Sequence, residues 1–235
     1  MLYFLYIFLA ILPSIIWLVY FLRKDVHPEP NSQVLKVFFW GAIITLPALL
    51  IELGAEKALE ALALPFLFAS LVNIFLGVAF VEEILKYLVV RINILRSPEF
   101  DEPIDAMLYM IIVALGFAGV ENILLFFKPG IFVEPFDPFL LSLVRFLGAT
   151  FLHALCSATI GFFLAFSLFH QRRHLSFLII GVGIATLLHG FYNFAIIEIE
   201  GPLKLYVIMG ILMLLALSVS FGLKKLKRLK SICIQ

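Results

Sequence analysis

Apolar residues fill seven long runs of this chain, roughly 2–22, 34–52, 65–92, 104–127, 138–169, 176–197 and 203–223. About 20 apolar residues at 1.5 Å per residue cross a hydrocarbon core ~30 Å thick, so each run predicts a transmembrane helix. Turn formers and charges mark the breaks: Arg23-Lys24-Asp25 with Pro28 and Pro30, Ser97-Pro98, Pro129-Gly130, Pro135, Pro138 and Gly201-Pro202. Asp101-Glu102-Pro103 reads as a helix start, with acids at the positive end of the dipole and proline in the first turn. The fifth run would be ~48 Å long as one straight helix, so it must tilt, project or break, with Gly148 as the candidate break. The expected fold is all-α: a polytopic membrane protein of about seven transmembrane helices. One transmembrane domain is expected over 1–235, with a motif-bearing core at about 65–197 and a basic tail at 224–235.

Composition agrees with that pattern. Of 235 residues 63% are hydrophobic and 14% charged, and 26 are Phe, whereas a soluble domain carries roughly a quarter charged residues. The net charge of +1 is uninformative, but the placement of the charges is not. Twelve basic residues fall on one side of the alternating spans, from Arg23 and Lys24 through Arg91, Arg96, Arg172 and Arg173 to the tail. Only Lys57, Lys128 and Lys204 fall on the other, and Lys86 and Arg145 lie within spans. By the positive-inside rule the N-terminus is expected outside and the C-terminus in the cytoplasm. The start of the chain lacks the basic flank and cleavage site of a signal peptide, so the first run is expected to be retained. Cys156 and Cys233 make neither a disulfide framework nor a metal pair. The tail from Lys224 to Lys230 reads as an anchor for anionic lipid and not as a nucleic-acid site.

Ionisable residues inside a bilayer are costly and point to function. The third run carries Asn73, Glu82, Glu83 and Lys86; the fourth, Glu121 and Asn122; the fifth, His153 and Ser157; the sixth, His189 and Asn193. His153/Ser157 and His189/Asn193 are each four residues apart and share a helix face. Glu82 and Lys86 have the spacing of an ion pair, which would leave Glu83 as the free carboxylate. Counting from the span ends puts both histidines near mid-membrane, with Glu82/Glu83 and Glu121 on opposite sides of the midplane. Glu52, Glu56 and Glu60 read as a solvated outer face, and Cys156 as a small core residue.

Glutamates beside histidines in a wet membrane cavity can activate water against a peptide carbonyl, a carboxylate acting as general base. A His and an Asn on one helix face can donate to the tetrahedral oxyanion. The same groups suit Zn²⁺ in kind, with Glu83, Glu121, His153 and His189 as the ligand candidates, but no His-Glu-x-x-His occurs. No cofactor is expected as obligatory. A proton- or cation-coupled transporter using a Glu/His relay is the alternative. Gly181-Val182-Gly183 favours it slightly, while the absence of proline beside the acids of the third and fourth spans does not.

Taken in order, Glu82-Glu83-x-x-Lys86, then Gly116-Phe117-Ala118-x-x-Glu121-Asn122, His153-x-x-x-Ser157 and His189-x-x-x-Asn193 resemble the PrsW family of intramembrane proteases, relatives of the CAAX prenyl endopeptidases and Abi proteins. The resemblance spans residues 73–197. It implies a glutamic-type peptidase of a prokaryotic cytoplasmic membrane, cleaving a membrane-anchored protein at a first site, in the founding case an anti-sigma factor on its extracytoplasmic side. It further implies Glu82 or Glu83 as the water-activating base, completed by Glu121, His189 and Asn193 and assisted by His153. The chain departs from the CAAX relatives where Tyr87 stands in place of their motif arginine, and where Glu121 occupies their histidine slot.

Overall fold

The computed structural model describes residues 2–25, 27–128, 137–169 and 173–229. The expected features at Pro129, Gly130, Pro135, Arg172, Lys230 and Cys233 lie outside these. Among the described residues there are helices and connecting turns and no strand. The helices are α1 (Leu2–Leu22), α2 (Asn31–Ala61), α3 (Phe66–Val72), a π-helical stretch (Asn73–Phe80), α4 (Val81–Asn93), α5 (Pro103–Phe126), α6 (Pro138–Leu147), α7 (Ala149–Phe169), α8 (His174–Glu198) and α9 (Pro202–Leu226). Grouped into continuous rods they give seven helices long and apolar enough to cross a membrane. The outer surface carries Phe4, Phe66, Leu50, Tyr206 and many like them, well exposed. In water such a surface would aggregate; against lipid it is the expected face.

The span boundaries agree with the hydropathy runs except in α2, which continues to Ala61 where the apolar run ends at 52. Glu52, Glu56 and Glu60 end the apolar pattern without ending the helix, because glutamate is a good helix former and backbone hydrogen bonding does not stop at the bilayer edge. The fifth span breaks at Gly148, whose φ of −103° and ψ of −104° leave the helical region between α6 and α7. Trp17 of α1 bridges this break. Its ring stacks between Phe146 and Phe151, and its indole N–H donates to the Phe146 carbonyl at 2.8 Å.

Helix α5 is the axis of the bundle, enclosed from Pro103 to Gly119 by α1, α2, α7 and α4. Bare backbone makes that enclosure close. A Cβ on Gly41 of α2 would overlap the Val113 carbonyl, one on Gly116 would overlap the Phe38 carbonyl, and one on Gly161 of α7 would overlap the Ala106 carbonyl. Helices in lipid associate through such van der Waals contact, since lipid offers no hydrophobic gain on association. At its start α5 is held by Asp105, which accepts the amides of Asp101 (3.1 Å) and Glu102 (2.7 Å). Beside it Tyr109 donates to Glu29 at 2.6 Å.

Candidate active site

Helix α4 presents Glu82, Glu83 and Lys86 toward α7 and α8, all three with at most 2% of their surface exposed. Spacings of three and four residues put both glutamates on the face of Lys86. Its ammonium lies 3.0 Å from Glu82 Oε2 and 2.9 Å from Glu83 Oε1. Glu83 is therefore not the free carboxylate that a Glu82–Lys86 pair alone would leave. Its Oε1 also accepts from His189 Nδ1 at 3.1 Å, and its Oε2 from the Ser157 hydroxyl at 2.8 Å. Such full pairing keeps two carboxylates tolerable in an apolar interior.

The third contact of the ammonium fixes a tautomer. Lys86 Nζ lies 2.9 Å from His153 Nδ1, and an ammonium only donates. Nδ1 therefore holds a lone pair, the neutral ring carries its proton on Nε2, and Nε2–H donates to Glu121 Oε2 at 2.6 Å. At His189 the direction reverses: Nδ1 faces a carboxylate, so it carries a proton and donates to Glu83. The two rings meet edge to face at 5.0 Å between centroids, and the Phe117 ring lies under the ammonium at 4.2 Å.

Glu121 is the point at which this interior cluster reaches open space. Its side chain is 28% exposed, against 0–3% for Glu82, Glu83 and Lys86. It borders a cavity of about 650 Å³ whose wall includes Leu49, Glu52, Leu124, Lys128 and Arg145. Glu52, read from sequence as part of a solvated outer face, is a cavity residue. Arg145, at the end of α6, donates from Nη2 to Glu121 Oε2 at 3.3 Å and from Nε to Asn122 Oδ1. Asn122 is tied in turn, its amide donating to the Ala10 carbonyl at 3.0 Å and to Thr150 Oγ1 at 3.1 Å.

The structure thus brings Glu82, Glu83, Glu121, His153 and His189 into one hydrogen-bonded chain from α4 through α7 to α5. It does not bring in Asn193: half-buried one turn beyond His189, that side chain has no hydrogen-bond partner among the described residues. Arg145 was missed as a site residue, although a membrane arginine three residues before a helix break is itself the signal. Cys156 lies in the apolar core, fully buried.

The donor set fits a divalent metal in kind. Glu82, Glu83, His153 and His189 each offer one ligand atom, all within 4.8 Å of one another, and two imidazoles with two carboxylates suit Zn²⁺. This group takes in Glu82 where Glu121 was expected. Glu121 instead holds the far nitrogen of His153, as a carboxylate commonly does behind a metal-bound imidazole. Three of the four donors already share the Lys86 ammonium, so a metal there would replace one cation with another.

Comparison with known proteins follows the same lines. Residues 29–219 match the family model described as PrsW family intramembrane metalloprotease. The chain is 32% identical over 225 residues to Protease PrsW of Bacillus subtilis (strain 168), covering 95% of this chain and 94% of that protein. It is 31% identical to Protease PrsW of Geobacillus kaustophilus (strain HTA426), covering 81% and 79%. Against Protease PrsW of Clostridioides difficile (strain 630) identity is 27%, covering 79% and 76%. No solved structure gives a significant match.

Proposed function

This chain belongs to the PrsW family of intramembrane proteases, an integral bacterial membrane protein that acts on membrane protein substrates, and on that premise we propose that it hydrolyses its substrate with water activated by Glu121. One observation carries the assignment: among the described acids of the cluster, Glu121 alone is both bonded to a histidine and open to the cavity. A water on the free side of its carboxylate attacks the scissile carbonyl and gives its proton to Glu121, which passes it to the leaving amine as the tetrahedral intermediate collapses. His153 holds Glu121 in place through Nε2–H. Lys86 holds His153 in that tautomer, and Glu82 and Glu83 balance Lys86. His189 and Ser157 lock Glu83 from behind, so the roles of Glu82, Glu83 and His189 are to preorganise the charge on which Glu121 and His153 depend. Asn193 stands next to this set without a bond to it.

The cavity runs along α5 from Glu121 toward Lys128. In the orientation predicted by the basic residues, Lys128 marks the extracytoplasmic end. A cut on that side of the substrate, as in first-site cleavage of an anti-sigma factor, is the class of reaction this placement supports. The basic residues at the end of α9 fit anionic lipid on the opposite face.

A metal-dependent version of the same hydrolysis is the second reading, favoured by the four clustered donors. Glu82, Glu83, His153 and His189 would hold the ion, which would polarise the carbonyl and acidify water. The test of both is one reconstitution. Purified protein in vesicles is given a panel of single-span peptides, products are located by mass spectrometry, and the metal content is measured. Glu121→Gln is expected to abolish cleavage while the protein still inserts. A Glu121→Gln variant that retains wild-type cleavage would remove Glu121 as base. Loss of cleavage with a chelator, restored by Zn²⁺, would establish the second reading.

A further inference from the structure

We propose that Arg145 is a catalytic residue, the donor that receives the negative oxygen of the tetrahedral intermediate, and that Asn122 positions it. The proposal rests on the hydrolytic reading above. Sequence reasoning gave the oxyanion to His189 and Asn193, but the Nδ1–H of His189 is spent on Glu83 and Asn193 lies outside the hydrogen-bonded chain. An intermediate built from water held by Glu121 develops its charge beside Glu121. The charged donor adjoining that position is the Arg145 guanidinium, 3.3 Å from Glu121 Oε2 and part of the same cavity wall. Lys128, the other cation of the described wall, sits seven residues further on, just past the end of α5, roughly 10 Å away at helical rise.

The guanidinium is suited to the task by what it has left to give. It carries five N–H groups in a rigid plane. Nε is used on Asn122 and one Nη2 hydrogen on Glu121, which leaves three for a substrate oxygen. It is also held in advance. Asn122 accepts from Nε while its own amide grips α1 and α7, so the arginine is braced by three helices around the Gly148 break. A donor fixed before the charge develops avoids reorganisation at the moment of reaction, which is where oxyanion stabilisation has its effect. With 18% of the side chain exposed and a place in the cavity wall, those remaining N–H groups are accessible to a substrate oxygen.

The test uses whichever peptide of the panel is cleaved, together with its phosphinate analogue, whose tetrahedral anionic centre mimics the intermediate. Arg145→Ala is expected to lower kcat by ~10²–10³ with KM within about threefold. It is also expected to weaken phosphinate binding by a comparable factor and to recover part of its rate, saturably, with added guanidinium. Arg145→Lys, which keeps the charge on Glu121 but loses the planar fork, covers the case in which the alanine variant does not fold; a loss of at least about tenfold in kcat is expected. Asn122→Ala is expected to shift kcat in the same direction without responding to guanidinium. Wild-type kcat in either arginine variant, or equal losses in substrate and phosphinate binding, overturns the proposal. Glu121→Gln separates the two readings. An inactive Glu121→Gln variant that still binds the phosphinate, beside a fully active Arg145→Ala, leaves the hydrolytic reading standing and ends this one. An active Glu121→Gln ends the reading on which both depend.

Discussion

Lys86 is the most consequential single position in this fold, and Lys86→Met measures why. The substitution keeps the length of the stem and deletes a fully buried ammonium bonded to Glu82, Glu83 and His153. Removing one partner of a buried ion pair costs about 3–5 kcal/mol, because the other charge stays behind without compensation. At about 2–4 °C per kcal/mol for a chain of this length, Tm is expected to fall by roughly 6–20 °C. Unfolding in detergent can be followed by tryptophan fluorescence, since Trp17 stacks on Phe146 and Phe151 and changes environment when α1 leaves the bundle. The second arm is Lys86→Met combined with Glu83→Gln. If uncompensated charge is the cause, the double variant is more stable than Lys86→Met alone, and the two changes couple by at least ~1 kcal/mol. A Lys86→Met protein that melts within about 2 °C of wild type, or a double variant that merely sums the two losses, would refute the electrostatic account of the cluster.

Two further outcomes follow from the fold. Gly41→Ala places a methyl against the Val113 carbonyl of α5, where neither backbone can yield easily; about 1–3 kcal/mol of destabilisation is expected, read as a lowered Tm, and an unchanged Tm would mean that α2 and α5 are not in contact. Burial pushes the Glu29 carboxyl from its ordinary 4.5 up to about 7, with Asp25 and Asp101 adding to the rise and the Tyr109 and Asp105 hydrogen bonds opposing it. A raised carboxyl stabilises the fold when protonated. Its contribution is therefore complete below about pH 4.5 and is lost as pH climbs through about 7. Glu29→Gln, which stays neutral, is expected to flatten the fall in Tm between pH 5 and pH 8; an unaltered slope would assign that fall to other groups.

The seven spans are legible in the sequence because a bilayer imposes length and apolarity on each helix separately, and neither property depends on the neighbours. The break at Gly148 is legible for the same reason: the fifth run is too long for one crossing. Contacts between helices are a different matter. That Glu121 reaches His153 depends on how α5 and α7 cross, which rests on Gly161 meeting the Ala106 carbonyl, and no periodicity encodes a crossing. The same holds for Lys86 finding His153 and for Arg145 reaching across from α6. Glu52 was misplaced because three acids at helical spacing look alike from the sequence, and only the packed bundle separates the half-buried one beside Glu121 from the two exposed ones, Glu56 and Glu60, which border a different cavity.

The π-helical stretch from Asn73 to Phe80 ends one residue before Val81, the first of α4, and Glu82 follows at once. Its bonds skip five residues where an α-helix skips four, so it sets the rotational phase between α3 and the face that carries Glu82, Glu83 and Lys86. In an α-helix one residue is worth about 100° of rotation. Within this rod, then, a one-residue gap in an alignment of relatives is not neutral drift in length. It would turn Glu83 away from His189 and Ser157 unless the π turns absorbed it, which makes this stretch the place where evolution can change the count of residues without changing the aim of the site.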